Sequence, residues 1–508
     1  MKRRDFLKKL GIIAGTGAMT FSLKGMPMQA FNSINLNKNL NGKILVIIQL
    51  KGGNDGLNTI VPIEDSIYYN SRPGLGISKS EALKFHDLLG FHPALTDFRD
   101  LYDDGKMSII QNVGYENQNR SHFRSTDIWL SASDSEEHIF DGWIGRYLDN
   151  EFPDFPDVSP EQPMAIQLGS VQSLLFESDE GNLAVAFENP DTFFELVSGS
   201  TVDKNPPPDT IAGNELKYVK QIASQSVQYA EIIKEKADAA SNRVTYPETQ
   251  LATQLSIIAN LISGGMETSV YLATISGFDT HAQQADTHTE LLTELSGAIK
   301  AFQTDLELNG VADNVVTMTI SEFGRRLAEN GSEGTDHGAA APVFVIGNSV
   351  NGGLIGQIPD LNDLDERGDI RYEFDYRQIY SSVLTDHLGF SNGDINSVLN
   401  KEFEKLPVIN GNYSDVSTNT PVNFELKQNY PNPFNPVTKI DYSVAKAGIV
   451  KLTVINSLGR KIKVLTNKYH GSGNYTINFD GKGLASGTYF YRLQTGSYRE
   501  TKRMVLLK

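Results

Sequence analysis

Aspartate, glutamate and histidine residues stand just after apolar segments at several places in this sequence. Asp279 and His281 follow one such segment, Glu322 follows another, and Asp336 and His337 lie between glycines shortly afterwards. Carboxylates and imidazoles are ligands for divalent cations, and several carboxylates are costly to hold together without a cation. The pattern therefore predicts a site for one or two divalent metal ions, which we expect to be zinc, magnesium or manganese.

A further carboxylate, Asp55, lies in the glycine-rich segment 52–58, directly after the apolar run 43–50. Glycines allow the backbone to turn sharply off a strand, so the Asp55 carboxylate can point out of the edge of a sheet. We expect Asp55 to be another metal ligand. The alternative is a residue that hydrogen-bonds its own turn, which is the commonest role of Asp between glycines.

Ser121 stands just before an amphipathic stretch, where it can cap a helix or act as a nucleophile. The N-terminus of a helix stabilises negative charge, and His122 provides an imidazole beside the hydroxyl. Arg120 and Arg325 are candidates to bind the anionic group of a substrate, since guanidinium groups pair well with phosphate. Ser121, Arg120 and Arg325 are therefore the predicted catalytic residues.

The chain of 508 residues contains no cysteine. Thiolate metal ligands and a thiol nucleophile are thereby excluded, and any metal must be held by carboxylates, imidazoles or hydroxyls. His288 lies seven residues after His281, so it approaches the same site if the segment between them is helical.

The net charge of −17 is unevenly distributed along the chain. Residues 426–508 contain 14 Lys and Arg against 3 Asp and Glu, whereas residues 33–425 contain 25 against 58. Nucleic-acid binding needs a basic surface, so the acidic body argues against a nucleic-acid partner. An acidic body is typical of an exported protein or of one rich in cation ligands, although solvated surface charge accounts for most of it.

The body of the chain alternates apolar runs with helical patterns. Apolar runs that suit buried strands occupy 43–50, 107–113, 269–275, 314–320 and 341–346, and helical spacing covers 214–240, 247–265 and 286–308. Alternating strands and helices predict an α/β fold with a mainly parallel sheet and helices on both faces. In such sheets, ligands bind at the carboxyl ends of strands, where the candidate metal ligands lie.

The sequence predicts four segments: a signal at 1–30, an α/β domain at 43–410, a polar linker at 411–425 and a β domain at 426–508. The N-terminus carries Arg3 and Arg4 before a short apolar run, and it resembles a bacterial twin-arginine export signal. The resemblance implies the twin-arginine translocase as a partner. An ordinary signal peptide or a retained anchor is the alternative.

The last segment has six short alternating strands separated by turn residues, which predicts a small all-β sandwich. Its opening, Asn-Tyr-Pro-Asn-Pro-Phe-Asn-Pro at 429–436, resembles the C-terminal sorting domain of the type IX (Por) secretion system. The resemblance implies the type IX machinery as a partner and passage through the periplasm to the cell surface or the medium. A sandwich module that binds sugar or protein is the alternative.

Seven motifs in order resemble domain-of-unknown-function family 1501, which is grouped with the alkaline phosphatase and sulfatase superfamily. They are Gly-Gly-Asn-Asp-Gly-Leu-Asn at 52–58, Arg-Ser-His-Phe at 120–123, Asp-Gly-Trp-Ile-Gly-Arg at 141–146, Phe-Asp-Thr-His at 278–281, Ser-Glu-Phe-Gly-Arg at 321–325, Gly-Thr-Asp-His-Gly at 334–338 and Asp-Tyr-Arg-Gln-Ile-Tyr at 375–380. The resemblance implies an alkaline-phosphatase-like sheet with two metals at its carboxyl edge and a nucleophile between them.

Carried over by motif, the resemblance assigns Ser121 as the nucleophile and Asp55, Asp279, His281, Glu322 and His337 as metal ligands. Phe323 stands where the superfamily has a histidine ligand, and the Asp-to-His spacing is two rather than four. The implied function is an exported metal-dependent hydrolase of phosphate or sulfate esters, with a small-molecule or glycan substrate. The alternatives are a non-catalytic surface protein that keeps the fold, or one that binds substrate without turnover.

Overall fold

The computed structural model describes residues 42–153, 155, 160–178, 181, 184–198, 207–208, 210–391, 394–409, 424–444, 448–456, 460–470, 473–495 and 498–507. The predicted twin-arginine signal and most of the predicted linker lie outside these residues. The chain divides into two compact units, 1–355 with 359–411 and 356–358 with 412–508, and each is considered by itself.

The first unit is built on a nine-stranded mixed sheet. Its strands are β1 (Ile44–Lys51), β5 (Met107–Gly114), β6 (Ala165–Leu168), β7 (Ala184–Phe187), β8 (Val270–Ser276), β9 (Val315–Ser321), β12 (Ala341–Ile346), β13 (Gly353–Ile355) and β14 (Phe374–Asp375). The order is β13-β5-β12-β9-β1-β8-β6-β7, with β14 paired to β5. Five further short strands form small ribbons outside this sheet: β2 (Ile60–Val61), β3 (Leu83–Lys84), β4 (Gly90–Phe91), β10 (Arg325–Glu329) and β11 (Thr335–His337).

Eleven α-helices are described in this unit. They are α1 (Gly56–Thr59), α2 (Ser66–Ser71), α3 (Thr96–Asp103), α4 (His122–Ser131), α5 (Trp143–Glu151), α6 (Pro190–Val197), α7 (Ile211–Ala239), α8 (Gln250–Ser263), α9 (Gln284–Leu308), α10 (Tyr376–Ser382) and α11 (Ile395–Leu399). The mainly parallel α/β architecture predicted from the sequence is confirmed. None of the described helices is long and apolar enough to cross a membrane.

Strand β1 lies at the centre of the sheet and explains how the site is assembled. Leu45, Val46, Ile47 and Ile48 are all fully buried, so side chains on both faces of the sheet are covered. The strand pairs in parallel with β8 and with β9, and the three strands end at the same edge. The segments that follow them therefore meet at one place.

Gly52 allows this meeting. It has a φ of +123°, which favours glycine, and a Cβ at this position would lie 2.2 Å from the backbone nitrogen of Asp279. A side chain here would therefore push apart the loops that follow β1 and β8.

Two features of the sheet differ from the sequence pattern. Strand β12 runs antiparallel to both β5 and β9, although its apolar run resembles those of the parallel strands. Strands β6 and β7 are only four residues long, and no periodic pattern in the sequence marks them.

The second unit contains only antiparallel strand pairings among its described residues. One sheet has the order β15-β16-β19 and the other β18-β17-β20-β21. The strands are β15 (Glu425–Leu426), β16 (Val437–Val444), β17 (Gly448–Asn456), β18 (Lys461–His470), β19 (Gly473–Asp480), β20 (Gly487–Thr495) and β21 (Tyr498–Leu506). Buried residues from both sheets form one core, as Ile440, Leu452 and Leu493 illustrate. The predicted all-β tail is confirmed.

Candidate metal centre

The candidate site lies where β1, β8 and β9 end. Asp279 follows β8, and Glu322 directly follows β9. The backbone N–H of Gly52, just after β1, donates a hydrogen bond of 2.7 Å to Glu322 Oε1. The predicted convergence of acidic residues at this edge of the sheet therefore holds for Asp279 and Glu322.

Asp279, His281 and His337 form the tightest part of the cluster. His281 Nε2 lies 3.1 Å from Asp279 Oδ1 and 2.8 Å from His337 Nε2. His337 Nε2 lies 3.2 Å from the same Asp279 oxygen. Three potential ligand atoms, two from the loop after β8 and one from the end of β11, are thus mutually within 3.2 Å.

His122 extends the cluster from the opposite side. Its Nε2 lies 3.3 Å from Asp279 Oδ2, and its ring centroid lies 4.4 Å from that of His337. One ligand atom from each of His122, Asp279 and His337 falls within 4.8 Å of the others. His122 is the first residue of α4, which places it above the strand ends.

In each of the three imidazoles, the second ring nitrogen, Nδ1, faces a hydrogen-bond acceptor. His122 Nδ1 lies 3.0 Å from Glu322 Oε1, His281 Nδ1 lies 3.2 Å from Asp336 Oδ1, and His337 Nδ1 lies 2.8 Å from the carbonyl oxygen of Arg120. A carbonyl or carboxylate oxygen can only accept, so each Nδ1 can donate to its partner while Nε2 ligates a cation.

Three imidazole nitrogens, the Nε2 atoms of His122, His281 and His337, converge on the two oxygens of Asp279. The Arg325 guanidinium also donates to Asp279 Oδ1 at 2.8 Å. Among the residues that the structure describes, His122 Nε2 and Glu322 Oε2 are buried atoms without a hydrogen-bond partner. Three imidazoles with one carboxylate form a donor set that suits Zn²⁺.

The protonation states of Asp279 and His337 also suit the binding of a cation. Burial alone would raise the pKa of Asp279, but hydrogen bonds from Arg325 and His337 lower it to about 2. Burial lowers the pKa of His337 below its usual range. At neutral pH Asp279 is therefore ionised and the His337 ring is neutral, which are the states in which these groups bind metals.

The structure puts Glu322 and Asp336, both predicted as ligands, behind the histidines. Each contacts the Nδ1 side of an imidazole, and Glu322 is 5% exposed. Carboxylates in this position fix the orientation of a ligating histidine and raise its basicity. The described contacts therefore suit a supporting role better than direct coordination.

The structure does not bring Asp55 into contact with these histidines. Its carboxylate forms an ion pair of 2.6 Å with Arg72, and both side chains are completely buried. Gln284 also donates a hydrogen bond to it, and Asp55 caps the short helix α1. Burial alone would raise the pKa of Asp55, but Arg72 outweighs burial and holds it below its usual range.

The three predicted catalytic residues differ in whether their side chains are free to contact a substrate. Ser121 is exposed, precedes α4 and makes no side-chain capping bond. The Arg120 guanidinium pairs with Asp365 and Asp369, two acidic residues of a neighbouring loop. Arg325 is completely buried, and apart from Asp279 it donates to backbone carbonyls, among them that of Gly53 at 2.8 Å. Both guanidinium groups are therefore engaged inside the protein.

Phe323 occupies the space beside the cluster. It is 1% exposed, and its ring centroid lies 4.5 Å from that of His337 and 5.0 Å from that of His122. The side chain supplies packing but no ligand atom at this position.

The sequence did not indicate the contacts that His122 makes with Asp279 and Glu322, or those that Arg72 makes with Asp55. His122 was visible only as the imidazole next to Ser121, and no motif marks Arg72. His288 lies away from the cluster: its Nε2 is 2.9 Å from Asn54 Oδ1, and burial lowers its pKa to about 3.

Two family models match parts of the chain. A model described as a protein of unknown function (DUF1501) matches residues 230–387. A model described as a secretion system C-terminal sorting domain matches residues 428–507, which indicates export to the cell surface or secretion. A search of curated proteins found no match.

Several solved structures are similar to this chain. A protein in the alkaline phosphatase superfamily from Vibrio parahaemolyticus has 10% identity and a TM-score of 0.35, and the match covers 90% of this chain and 82% of that one. A phosphonate monoester hydrolase from Silicibacter pomeroyi has 7% identity and a TM-score of 0.30 over 91% and 88%.

PorZ, a surface component of the type-IX secretion system of Porphyromonas gingivalis, has 16% identity and a TM-score of 0.14. That match covers 20% of this chain, which spans 14% of the length of PorZ.

Proposed function

We propose that this protein is an exported hydrolase of phosphate or sulfate esters that depends on a single divalent cation. The ligands are His122, Asp279, His281 and His337, and zinc is the ion that best suits this donor set. The observation that carries the proposal is the convergence of three imidazole nitrogens on the Asp279 carboxylate. When bound, the cation would polarise an ester oxygen and lower the pKa of a nearby hydroxyl group.

The charges of the cluster support one ion rather than two. Asp279, Glu322 and Asp336 contribute three negative charges, and Arg325 contributes one positive charge. The remaining two negative charges match one dication. Phe323, which lies against two of the histidines, supplies no ligand for a second ion.

The surface of the cluster leaves room for a substrate. The side chains of Asp279 and His281 are 47% and 44% exposed. Ser121 precedes His122 at the N-terminus of α4, a ten-residue helix whose first N–H groups favour negative charge. We assign Ser121 as the nucleophile, with His122 holding the adjacent backbone beside the cation.

The second candidate function is a non-catalytic surface protein that keeps the metal site. Arg120 and Arg325 favour it, because both guanidinium groups are engaged by internal partners and neither is free to bind the anionic group of an ester. In this alternative the cation stabilises the edge of the sheet, and Ser121 only precedes a helix.

The sorting-domain match at 428–507 supports export by the type IX machinery. Passage across the inner membrane by the twin-arginine translocase stays a prediction from the sequence. Under the proposed function, the substrate is therefore an ester found outside the cytoplasm, either a small molecule or a glycan.

Metal content and turnover together test the proposal. Purified protein would be analysed for bound metal, then loaded with zinc, manganese or magnesium and assayed with aryl phosphates and aryl sulfates. We expect one ion per chain and turnover that Ser121→Ala abolishes. One ion without turnover of any ester would support the non-catalytic alternative, and a chain that binds no divalent ion would overturn both.

A further inference from the structure

Asp55 lies in the most recognisable motif of the sequence but contacts none of the cluster histidines. We propose that Asp55 and Gln284 form a buried positioning pair that holds the two ligand-bearing loops together. The inference rests on the proposed metal site and deepens it, because it assigns a role to a conspicuous carboxylate that does not bind the ion.

The side-chain amide of Gln284 links three parts of the site. Gln284 is completely buried at the start of α9, and its Nε2 donates to Asp55 Oδ2. Its Oε1 accepts hydrogen bonds from Thr280 Oγ1 at 3.1 Å and from Thr335 Oγ1 at 2.6 Å. One amide thus connects the loop after β1 with two other segments.

Those two segments carry the ligands. Thr280 lies between Asp279 and His281, and Thr335 lies two residues before His337. The backbone N–H of Thr335 also donates to the carbonyl of Thr280 at 3.2 Å. Because both threonine hydroxyls bind the same oxygen, the Gln284 amide fixes the spacing between the loop of His281 and the strand of His337.

Asp55 determines which way the amide faces. Ionised and paired with Arg72, it is only an acceptor, so the NH2 group of Gln284 must point towards it. The carbonyl oxygen must then point towards Thr280 and Thr335. If the amide were reversed, its oxygen would face the carboxylate, and the two hydroxyls would lose their shared acceptor.

Arg72 lies beside Asp55, where the superfamily resemblance predicts a metal ion instead. Its guanidinium supplies the positive charge that Asp55 requires, and it also donates to the carbonyls of Arg326 and Leu327 at 2.7 and 2.8 Å. An internal cation therefore stands beside this carboxylate, and Asp55 acts on the metal site through Gln284.

A matched set of variants tests the pair. Gln284→Leu removes the amide, and Gln303→Leu is the control, since Gln303 is a 2% exposed glutamine of the same helix that contacts Glu307 and Asn348 instead. Thr335→Val removes one hydroxyl at nearly constant volume.

Zinc affinity and the visible absorption spectrum of the Co²⁺-loaded protein would be measured for every variant that circular dichroism shows to be folded. We expect Gln284→Leu to lower zinc affinity by about tenfold or more and to change the Co²⁺ spectrum, as loss of a supporting contact does. The control should leave both unchanged.

Equal affinities for Gln284→Leu and Gln303→Leu would overturn the inference. If Gln284→Leu does not fold, Thr335→Val decides: it should lower affinity and alter the spectrum, and unchanged values would overturn the inference. A wild-type protein that binds neither zinc nor cobalt would instead refute the proposed function, so the two failures are distinguishable.

Discussion

Asp55 and Asp279 are both strand-end carboxylates paired with a buried arginine, but their surroundings differ. Asp55 and Arg72 are completely buried, and the neighbours of Asp55 are donors. Asp279 is 47% exposed, and besides Arg325 its neighbours are imidazole nitrogens. Imidazole nitrogens can ligate a cation together with the carboxylate, whereas the guanidinium and the amide NH2 group that face Asp55 cannot.

Asp55 and Asp279 also differ in how they contribute to stability. A buried ion pair is costly to break because the remaining charge has no solvent, whereas a partly exposed site gains stability chiefly when its ligand binds. The following predictions use the two regions as controls for each other.

The largest expected effect is the loss of stability of the metal-free protein when Asp55 is replaced. Asp55→Ala leaves Arg72 buried without its carboxylate, so the free energy of unfolding should fall by about 3–5 kcal/mol. Urea denaturation in the presence of a chelator measures it. Asp279→Ala, its counterpart, should cost the chelated protein much less, and equal losses would contradict the distinction between the two regions.

Loss of a ligand should appear only in the metal-loaded state. His337→Ala removes one nitrogen from the cluster, so zinc affinity should fall by more than about 100-fold, given that losing a supporting residue alone typically costs 10–100-fold. The melting temperature should fall in the zinc-loaded form, because a ligand stabilises the native state by mass action. Equal melting shifts with and without chelator would count against His337 as a ligand.

The supporting carboxylates should matter less than the ligands, and unequally. Glu322→Gln should lower zinc affinity by about 10–100-fold, because this buried carboxylate orients His122. Asp336 is 54% exposed, so Asp336→Asn should have a smaller effect. Isothermal titration of both variants tests the order, and a larger loss for Asp336→Asn would reverse the assigned roles.

The pH dependence of stability should reveal the histidines beside Asp55. Burial lowers the pKa of His288 to about 3 and that of His92 to about 4, from the usual 6.5. The unfolded chain therefore binds more protons, so each contributes stability that is complete above about pH 6.5 and is lost as the pH falls towards 4, by at most about 1.4 kcal/mol per pH unit. Denaturation of the chelated protein between pH 7 and 4 should show this decline, and a flat profile would contradict it.

The smallest expected effect on stability comes from removing the tail. A chain that ends at residue 425 should keep the unfolding free energy of the body, because the body has its own sheet and its own buried core. Its export should nevertheless stop in the periplasm, which cell fractionation would detect. Surface display of the truncated chain would show that the tail is not a sorting signal.

The sequence predicted the sheet well because its central strands are fully buried and continuously apolar. It could not predict that β12 is antiparallel, since an apolar run is the same in either direction. The positions of Asp279 and Glu322 followed from the strand ends, because the carboxyl ends of parallel strands share one edge.

The roles within the site were harder to predict. Whether Asp55 binds a metal depends on Arg72, which no motif connects to it and which only the fold brings within 2.6 Å. Likewise, the tautomer of His337 depends on the carbonyl of Arg120. A motif identifies residues that can coordinate a cation, but the neighbours that make each one a donor or an acceptor come from distant parts of the chain.

The sequence positions of the cluster residues also constrain the order of folding and metal binding. His122 is 200 residues from Glu322, and His281 is 56 residues from His337. No short fragment contains the site, so under the proposed function an ion can bind only after the central sheet has formed. Proteins acquire the metal that is available to them rather than the one selected by affinity alone. The compartment in which this chain folds would then govern which ion it takes up.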